Sequence, residues 1–157
     1  MAFKGPENRK KLLLSMLTLA GLIGAAVLAT SAVSAYLRGQ DPINQCITDP
    51  SSQPYQISVP VTVLQDGTPD AIPEGIGITQ DCIRPIHTLE ENVIHVAYSR
   101  PHPFTLGHFL YYWLGDDLLA YNTDVYINGV QHSDGDFRDI PLREGDAIRI
   151  EFSTKDQ

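Results

Sequence analysis

Residues 93–115 read VIHVAYSRPHPFTLGHFLYYWLG, and this stretch decides the fold that the sequence predicts. Apolar side chains alternate with others through Val93–Tyr98, which indicates a strand, and the prolines that follow end it. Thr105 can cap a helix in which apolar residues recur every three or four positions as far as Leu114, and Gly115 ends that helix. We therefore expect a central strand followed closely by a helix that packs across its face.

Three further segments complete the predicted sheet. Ile57–Leu64 alternates apolar and polar residues, and its Pro60 favours an edge strand because proline donates no backbone hydrogen bond. Asn128-Gly129 is typical of a two-residue hairpin turn, and Ile148–Phe152 alternates as a terminal strand. The predicted fold class is α+β, a small and mostly antiparallel sheet crossed by one helix, with a small β-sandwich as the alternative.

The N-terminal part of the chain predicts a membrane anchor. Leu12–Leu37 is an uncharged run of 26 residues behind the basic cluster Arg9-Lys10-Lys11. At a rise of about 1.5 Å per residue, a helix of this length crosses a bilayer core of about 30 Å. The basic flank predicts a single-pass protein with its N-terminus in the cytoplasm and its C-terminal domain outside. A cleaved signal peptide that ends at Val33-Ser34-Ala35 is the alternative.

The predicted anchor carries small residues at a four-residue spacing, namely Gly21, Ala25 and Ala29. Such a stripe lets membrane helices approach each other closely. The predicted organisation is then a cytoplasmic tail at 1–11, a transmembrane helix at 12–37, a linker at 38–54 and an extracytoplasmic α+β domain at 55–157.

Charge is distributed unevenly along the chain. Residues 1–40 hold five basic residues and one acidic residue, a net charge of +4. Residues 41–157 hold six basic and eighteen acidic residues, a net charge of −12. Because an acidic domain repels phosphate backbones, the composition argues against nucleic acid as a partner.

The chain has two cysteines, Cys46 and Cys82. An even pair on the predicted outer side is most simply a disulfide. A cysteine metal ligand or two free thiols are the alternatives.

Cys82 also begins a pattern with two histidines, Cys-x4-His-x7-His, that ends at His87 and His95. Thiolate and imidazole ligands suit copper or zinc, which need about three or four ligands. The alternative has each histidine hydrogen-bonded to nearby backbone. The sequence therefore allows a copper or zinc site, or a small-ligand site, without favouring it.

The second face of the predicted helix is aromatic and polar, with His108, Tyr111 and Tyr112. Tyrosine is enriched among the residues that dominate binding at protein interfaces, and Leu118, Leu119 and Tyr121 follow shortly after the helix. These residues predict a partner-binding patch, with internal packing as the alternative.

Several short pieces follow one another from Cys82 onward. They are Cys-x4-His-Thr at 82–88, Val-Ile-His-Val at 93–96, Phe-Thr-Leu-Gly at 104–107 and Asn-Gly at 128–129. In this order they resemble an uncharacterised family of secreted or membrane-tethered prokaryotic proteins, and the resemblance covers roughly the last half of the chain. Typical members carry His-x-His in the first strand and a His-Thr-His-Asp run, which implies a metal site. This chain reads QISV at 56–59 and HTLE at 87–90 instead, so most of the implied ligands are missing.

The ending Leu142–Ile150 resembles the last turn and strand of β-grasp domains such as ubiquitin-like and sulfur-carrier proteins. Sulfur carriers end in Gly-Gly, whereas this chain ends in STKDQ at 153–157, so the resemblance does not imply that activity.

The sequence contains no Gly-x-Ser-x-Gly, His-Glu-x-x-His or glycine-rich phosphate loop, so it predicts a protein that is not an enzyme. The predicted function is that of a membrane-anchored extracytoplasmic interaction module, an accessory or structural subunit whose partner is another membrane protein. Binding of a metal ion or a small ligand is the alternative.

Overall fold

The structure is a computed structural model that describes residues 41–155 and the isolated positions 16, 19, 20, 23 and 30. Pro42–Gln157 forms one compact unit. Residues 41–155 contain β1 (Tyr55–Gln65), β2 (Thr68–Asp70), β3 (Ile78–Thr79), β4 (Cys82–Ile83), β5 (Ile86–His87), β6 (Val93–Tyr98), α1 (Leu106–Trp113), β7 (Tyr121–Ile127), β8 (Val130–Gln131) and β9 (Ile148–Thr154). Short 3-10 helices cover Pro42–Asn44, Pro50–Ser52, Gly115–Ala120 and Phe137–Asp139.

Seven strands form one sheet in the order β5-β6-β1-β9-β7-β8, with β2 paired to β1, while β3 and β4 pair separately. The long strand β1 joins the two halves of this sheet. Tyr55–Pro60 pairs with β6 in the antiparallel sense, and Val61–Gln65 pairs with β9 in the parallel sense. Antiparallel pairing of β9 with β7 then places β7 and β8 at one end of the sheet.

Because β1 lies inside the sheet, the prediction that Pro60 marks an edge strand is wrong. Pairing with β9 begins only at Val61. The backbone N–H of Ser58, which alternation puts on the same side of β1 as the nitrogen of Pro60, donates to the carboxylate of Glu144 at 2.8 Å. At Pro60, that side of β1 has no neighbouring strand, so the missing N–H of proline costs no hydrogen bond of the sheet.

The core lies between the sheet and α1. Every second residue of β1 is buried, as expected for a strand with one face on the core. The buried residues are Ile57, Val59, Val61 and Val63. Leu106, Phe109 and Leu110 form the buried stripe of α1. Each fully buried side chain of this kind contributes about 1.5–3 kcal/mol relative to exposure.

Several elements agree with the sequence predictions. The strand Val93–Tyr98 and the helix that follows the Thr105 cap are confirmed. The hairpin turn at Asn128-Gly129 is confirmed as well, with φ values of 52° and 84° that match the left-handed turn this dipeptide favours. The terminal strand is found and extends to Thr154.

The predicted fold class is nevertheless wrong as a whole. Residues 41–155 form a mixed α/β arrangement with one helix and a seven-stranded sheet, rather than the small β-grasp-like sheet or the β-sandwich that was predicted. The sheet is larger than predicted because β2 and β5 are only three and two residues long, too short to show apolar alternation.

The predicted membrane anchor and single-pass location are also corrected. Among the described residues, no helix has the length and apolar character that a bilayer crossing requires. The prediction rested only on the uncharged length of this segment, which matches the thickness of a bilayer core. Most of the segment 12–37, including Gly21, Ala25 and Ala29, lies outside the described residues.

The predicted disulfide is confirmed. Cys46 and Cys82 are joined, with their Cα atoms 5.1 Å apart. Next to the bond, the N–H of Ile47 donates to the carbonyl of Ile83 at 2.8 Å. Residues 42–47, the N-terminal strap, thus belong to the folded domain although the sequence predicted them as part of a linker.

Candidate functional site

The three residues predicted as metal ligands do not form a ligand set in the structure. The sulfur of Cys82 is bonded to Cys46 and is not a thiolate. His87 and His95 do meet, because they are paired across β5 and β6, and their ring centres lie 6.0 Å apart in a stacked arrangement. Within the described part of the chain, no group of three or more His, Cys, Asp or Glu side chains is arranged to hold a metal ion.

His87 is fully buried, and its Nδ1 lies 2.9 Å from the carbonyl oxygen of Arg84, which can only accept. Its Nε2 is buried without a hydrogen-bond partner among the described residues. Burial lowers the pKa of His87 below its ordinary value, and the nearby ring of His95 adds to that effect, while the hydrogen bond to Arg84 opposes it. His87 is therefore a neutral core histidine.

His95 lies between Ser58 and Glu90. Its Nδ1 is 3.1 Å from the Ser58 hydroxyl, and its Nε2 is 3.6 Å from a Glu90 oxygen, beyond hydrogen-bond length. The backbone N–H of Ser58 is also engaged, because it donates to the carboxylate of Glu144 at 2.8 Å.

The predicted partner-binding residues of α1 have three different environments. His108 completes the cap of the helix: its Nδ1 accepts the Thr105 N–H at 3.1 Å, while its own N–H donates to the Thr105 hydroxyl at 3.4 Å. Tyr112 donates its hydroxyl to the carbonyl of Ile43 in the N-terminal strap, and thus holds two parts of the domain together. Tyr111 points outward and is 64% exposed.

Tyr111 lines a groove, and the sequence predicted only some of the residues that form it. Two adjoining depressions, of about 440 Å³ and about 380 Å³, share Leu118, Leu119 and Arg138. The first reaches Tyr111 on α1, and the second runs along residues 121–124 of β7. We call these two adjoining depressions together the α1–β7 groove, bounded by Tyr111, residues 118–119, residues 121–124 and residues 137–138.

Two exposed apolar side chains line the same part of the groove. Leu119 is 68% exposed, and with Tyr111 it makes up two of the four large apolar side chains that are more than half exposed within residues 41–155. Single scattered apolar residues are normal on a protein surface, whereas exposed apolar residues that adjoin one another offer a surface for contact with a partner.

Positive charge along the groove is already engaged. The guanidinium of Arg138 donates to both carboxylate oxygens of Asp136 at 2.9 Å from its Nε, and this pairing holds the pKa of Asp136 at about 2. The ammonium of Lys155 donates to the carbonyl of Leu119 at 2.8 Å. The carboxylates of Asp116 and Asp124 line the same groove.

Sequence reasoning included Tyr121 in the patch but missed residues 122–124 of β7 and Arg138. The contribution of β7 depends on β8 being short, and the two-residue strand β8 leaves no periodic pattern to read. Arg138 reaches the groove through the turn Phe137–Asp139, which packs beside α1, a contact between segments about 30 positions apart in the chain.

Comparison with known proteins gives no relative whose function could be compared with this groove. No family model, no curated protein sequence and no solved structure matches the chain.

Proposed function

We propose that this protein is an interaction module, an accessory subunit that binds a segment of a partner protein in the α1–β7 groove. The single observation that supports this proposal is that the exposed side chains of Tyr111 and Leu119 line the same depression. Aromatic and large aliphatic side chains at the centre of a groove supply much of the binding energy in protein complexes.

The charge of the domain indicates the chemistry of the partner. Residues 41–157 carry a net charge of −12, and the two basic groups of the groove already bond within the domain. Asp116 and Asp124 face the groove. A partner segment that combines apolar side chains with lysine or arginine complements this surface, and opposite charges also speed the encounter.

The test is co-purification with the tagged full-length chain under native conditions. We expect Tyr111→Ser combined with Leu119→Ser to reduce recovery of a bound protein about tenfold, because truncation of central apolar contacts costs about 1–2 kcal/mol or more. The unfolding midpoint should not fall, since both side chains are largely exposed.

The matched control is Val130→Ser. Val130 is 71% exposed, more than either groove residue, but it lies on β8 outside the groove. Equal recovery with all three proteins would reject the groove as the binding surface.

A further inference from the structure

The side of β7 that faces away from β9 has an open edge. β8 pairs only with Tyr126 and Ile127, and the single continuation is the N–H of His132, which donates to the carbonyl of Val125 at 2.8 Å. Within the described residues, no strand pairs with this side of residues 121–124.

Strand alternation shows which backbone groups the open edge presents. Ile127 and Val130 flank the two-residue turn, so their N–H and C=O groups point toward each other. Every second residue of a strand points the same way, which puts the N–H and C=O of Thr123 on the side away from β9. Unpaired groups of this kind are a template for another strand.

The α1–β7 groove runs along this edge. Tyr121, Asn122, Thr123 and Asp124 all line it, although successive side chains of a strand point to opposite faces. A depression that four consecutive residues line must follow the edge of the strand. The apolar side chains of Leu118 and Phe137 line the depression beside this edge.

We propose that the partner segment binds in extended form and adds to β7 as an extra strand, with its backbone paired to Thr123. This inference rests on the proposed function and gives its binding mode. The segment alternates basic and apolar residues, because Asp124 is exposed beside the edge and Leu118 and Leu119 offer apolar contact.

A peptide segment suits the edge better than a second copy of this domain. Residues 118–119 and 137–138 stand beside the open edge of β7. In a second copy, the same residues would flank its own β7 and obstruct pairing of the two strands. Two domains that each carry excess negative charge also repel one another.

The experiment uses the full chain and a fluorescein-labelled probe peptide, Lys-Val-Lys-Val-Lys-Val with blocked ends, titrated by fluorescence anisotropy. Thr123→Pro removes the outward N–H without cutting the ladder to β9, since proline is tolerated where an edge N–H faces outward. Thr123→Val is the matched control, because it keeps the N–H and the branched side chain. We expect Thr123→Pro to weaken binding at least tenfold and Thr123→Val to leave it within twofold.

A second readout separates strand addition from any other contact. Saturation with the probe should slow amide hydrogen exchange at Thr123 in the unmodified protein, measured by NMR, and this result counts even if Thr123→Pro fails to fold.

Three results with the probe would overturn the inference. They are equal affinity of Thr123→Pro, unchanged exchange at Thr123 under saturation, and no binding of the probe to the unmodified protein. None of these results would reject the proposed function, because that function is tested separately by co-purification with the Tyr111→Ser, Leu119→Ser variant. A dimer that Thr123→Pro converts to a monomer would instead identify a second copy as the occupant and also overturn the inference.

Discussion

His87 shows how a single polar residue can limit the conditions under which the domain is stable. It is fully buried, donates to the carbonyl of Arg84, and stacks against His95. Charging His87 would place a cation in the apolar core beside a second imidazole, which low-dielectric surroundings penalise.

We predict that acid destabilises the domain through His87. Its pKa is lower in the folded protein than the unfolded value of 6.5, so below that pH the unfolded chain binds more protons than the folded one. Stability is therefore complete above about pH 6.5 and is lost as the pH falls toward the folded pKa. Urea unfolding at pH 7.5 and pH 5.5 measures the loss, and His87→Gln should reduce it. The same pH dependence in His87→Gln would show that another group is responsible.

Tyr111 and Tyr112 are adjacent in sequence but differ in role, because only Tyr112 reaches the strap carbonyl of Ile43. We predict that Tyr112→Phe lowers the free energy of unfolding by about 1 kcal/mol, the usual contribution of one hydrogen bond. Tyr111→Phe should leave it unchanged within error. Chemical denaturation of both variants measures the difference, and equal stabilities would contradict the assigned hydrogen bond. The sequence could not separate the two tyrosines, since the difference depends on where the strap lies.

At the scale of elements, local pattern and local capping were enough for β6, α1 and the 128–129 turn. Each carries its own signal within a few residues: alternation, a threonine cap, or an Asn-Gly pair. The open edge of β7 carries no such signal. It results from the length of β8 and from packing of the turn Phe137–Asp139, which are long-range properties of the folded chain.

Gly107 connects α1 to the wall of the groove. A Cβ atom at this position would lie 2.6 Å from the carbonyl oxygen of Arg138, too close to fit unless the backbone moves. Glycine to alanine within a helix normally stabilises by about 1 kcal/mol. Here we predict the opposite sign, a loss of about 1–3 kcal/mol from overpacking, measured by urea unfolding. A gain in stability would mean that α1 and the 137–139 turn are not in contact in solution.

On the scale of the whole molecule, the disulfide ties the N-terminal strap to β4 of the separate two-stranded sheet. The bond spans 36 positions, and Tyr98 adds a hydrogen bond to Gln45 at 2.9 Å. The sequence could predict this pairing because only two cysteines exist. It could not predict the strand order, since β1 joins two halves of the sheet through partners that are about 40 and 90 positions away.

We predict that Cys46→Ser combined with Cys82→Ser lowers the free energy of unfolding by about 3–4 kcal/mol, because a bond across a loop of this length restricts the unfolded chain. Guanidinium denaturation of the double variant, compared with the intact protein in the absence of reductant, measures the loss. If reductant shifted the midpoint of the double variant too, the loss could not be assigned to the bond.

The most direct test of the central claim places a photo-crosslinking residue, p-benzoylphenylalanine, at position 119 of the full chain in its own cells. We predict a discrete crosslinked product from position 119, because Leu119 lies in the α1–β7 groove, and none from position 130, which is as exposed but lies outside it. Crosslinking at 119 that is no stronger than at 130 would contradict the assignment of this groove as the binding surface.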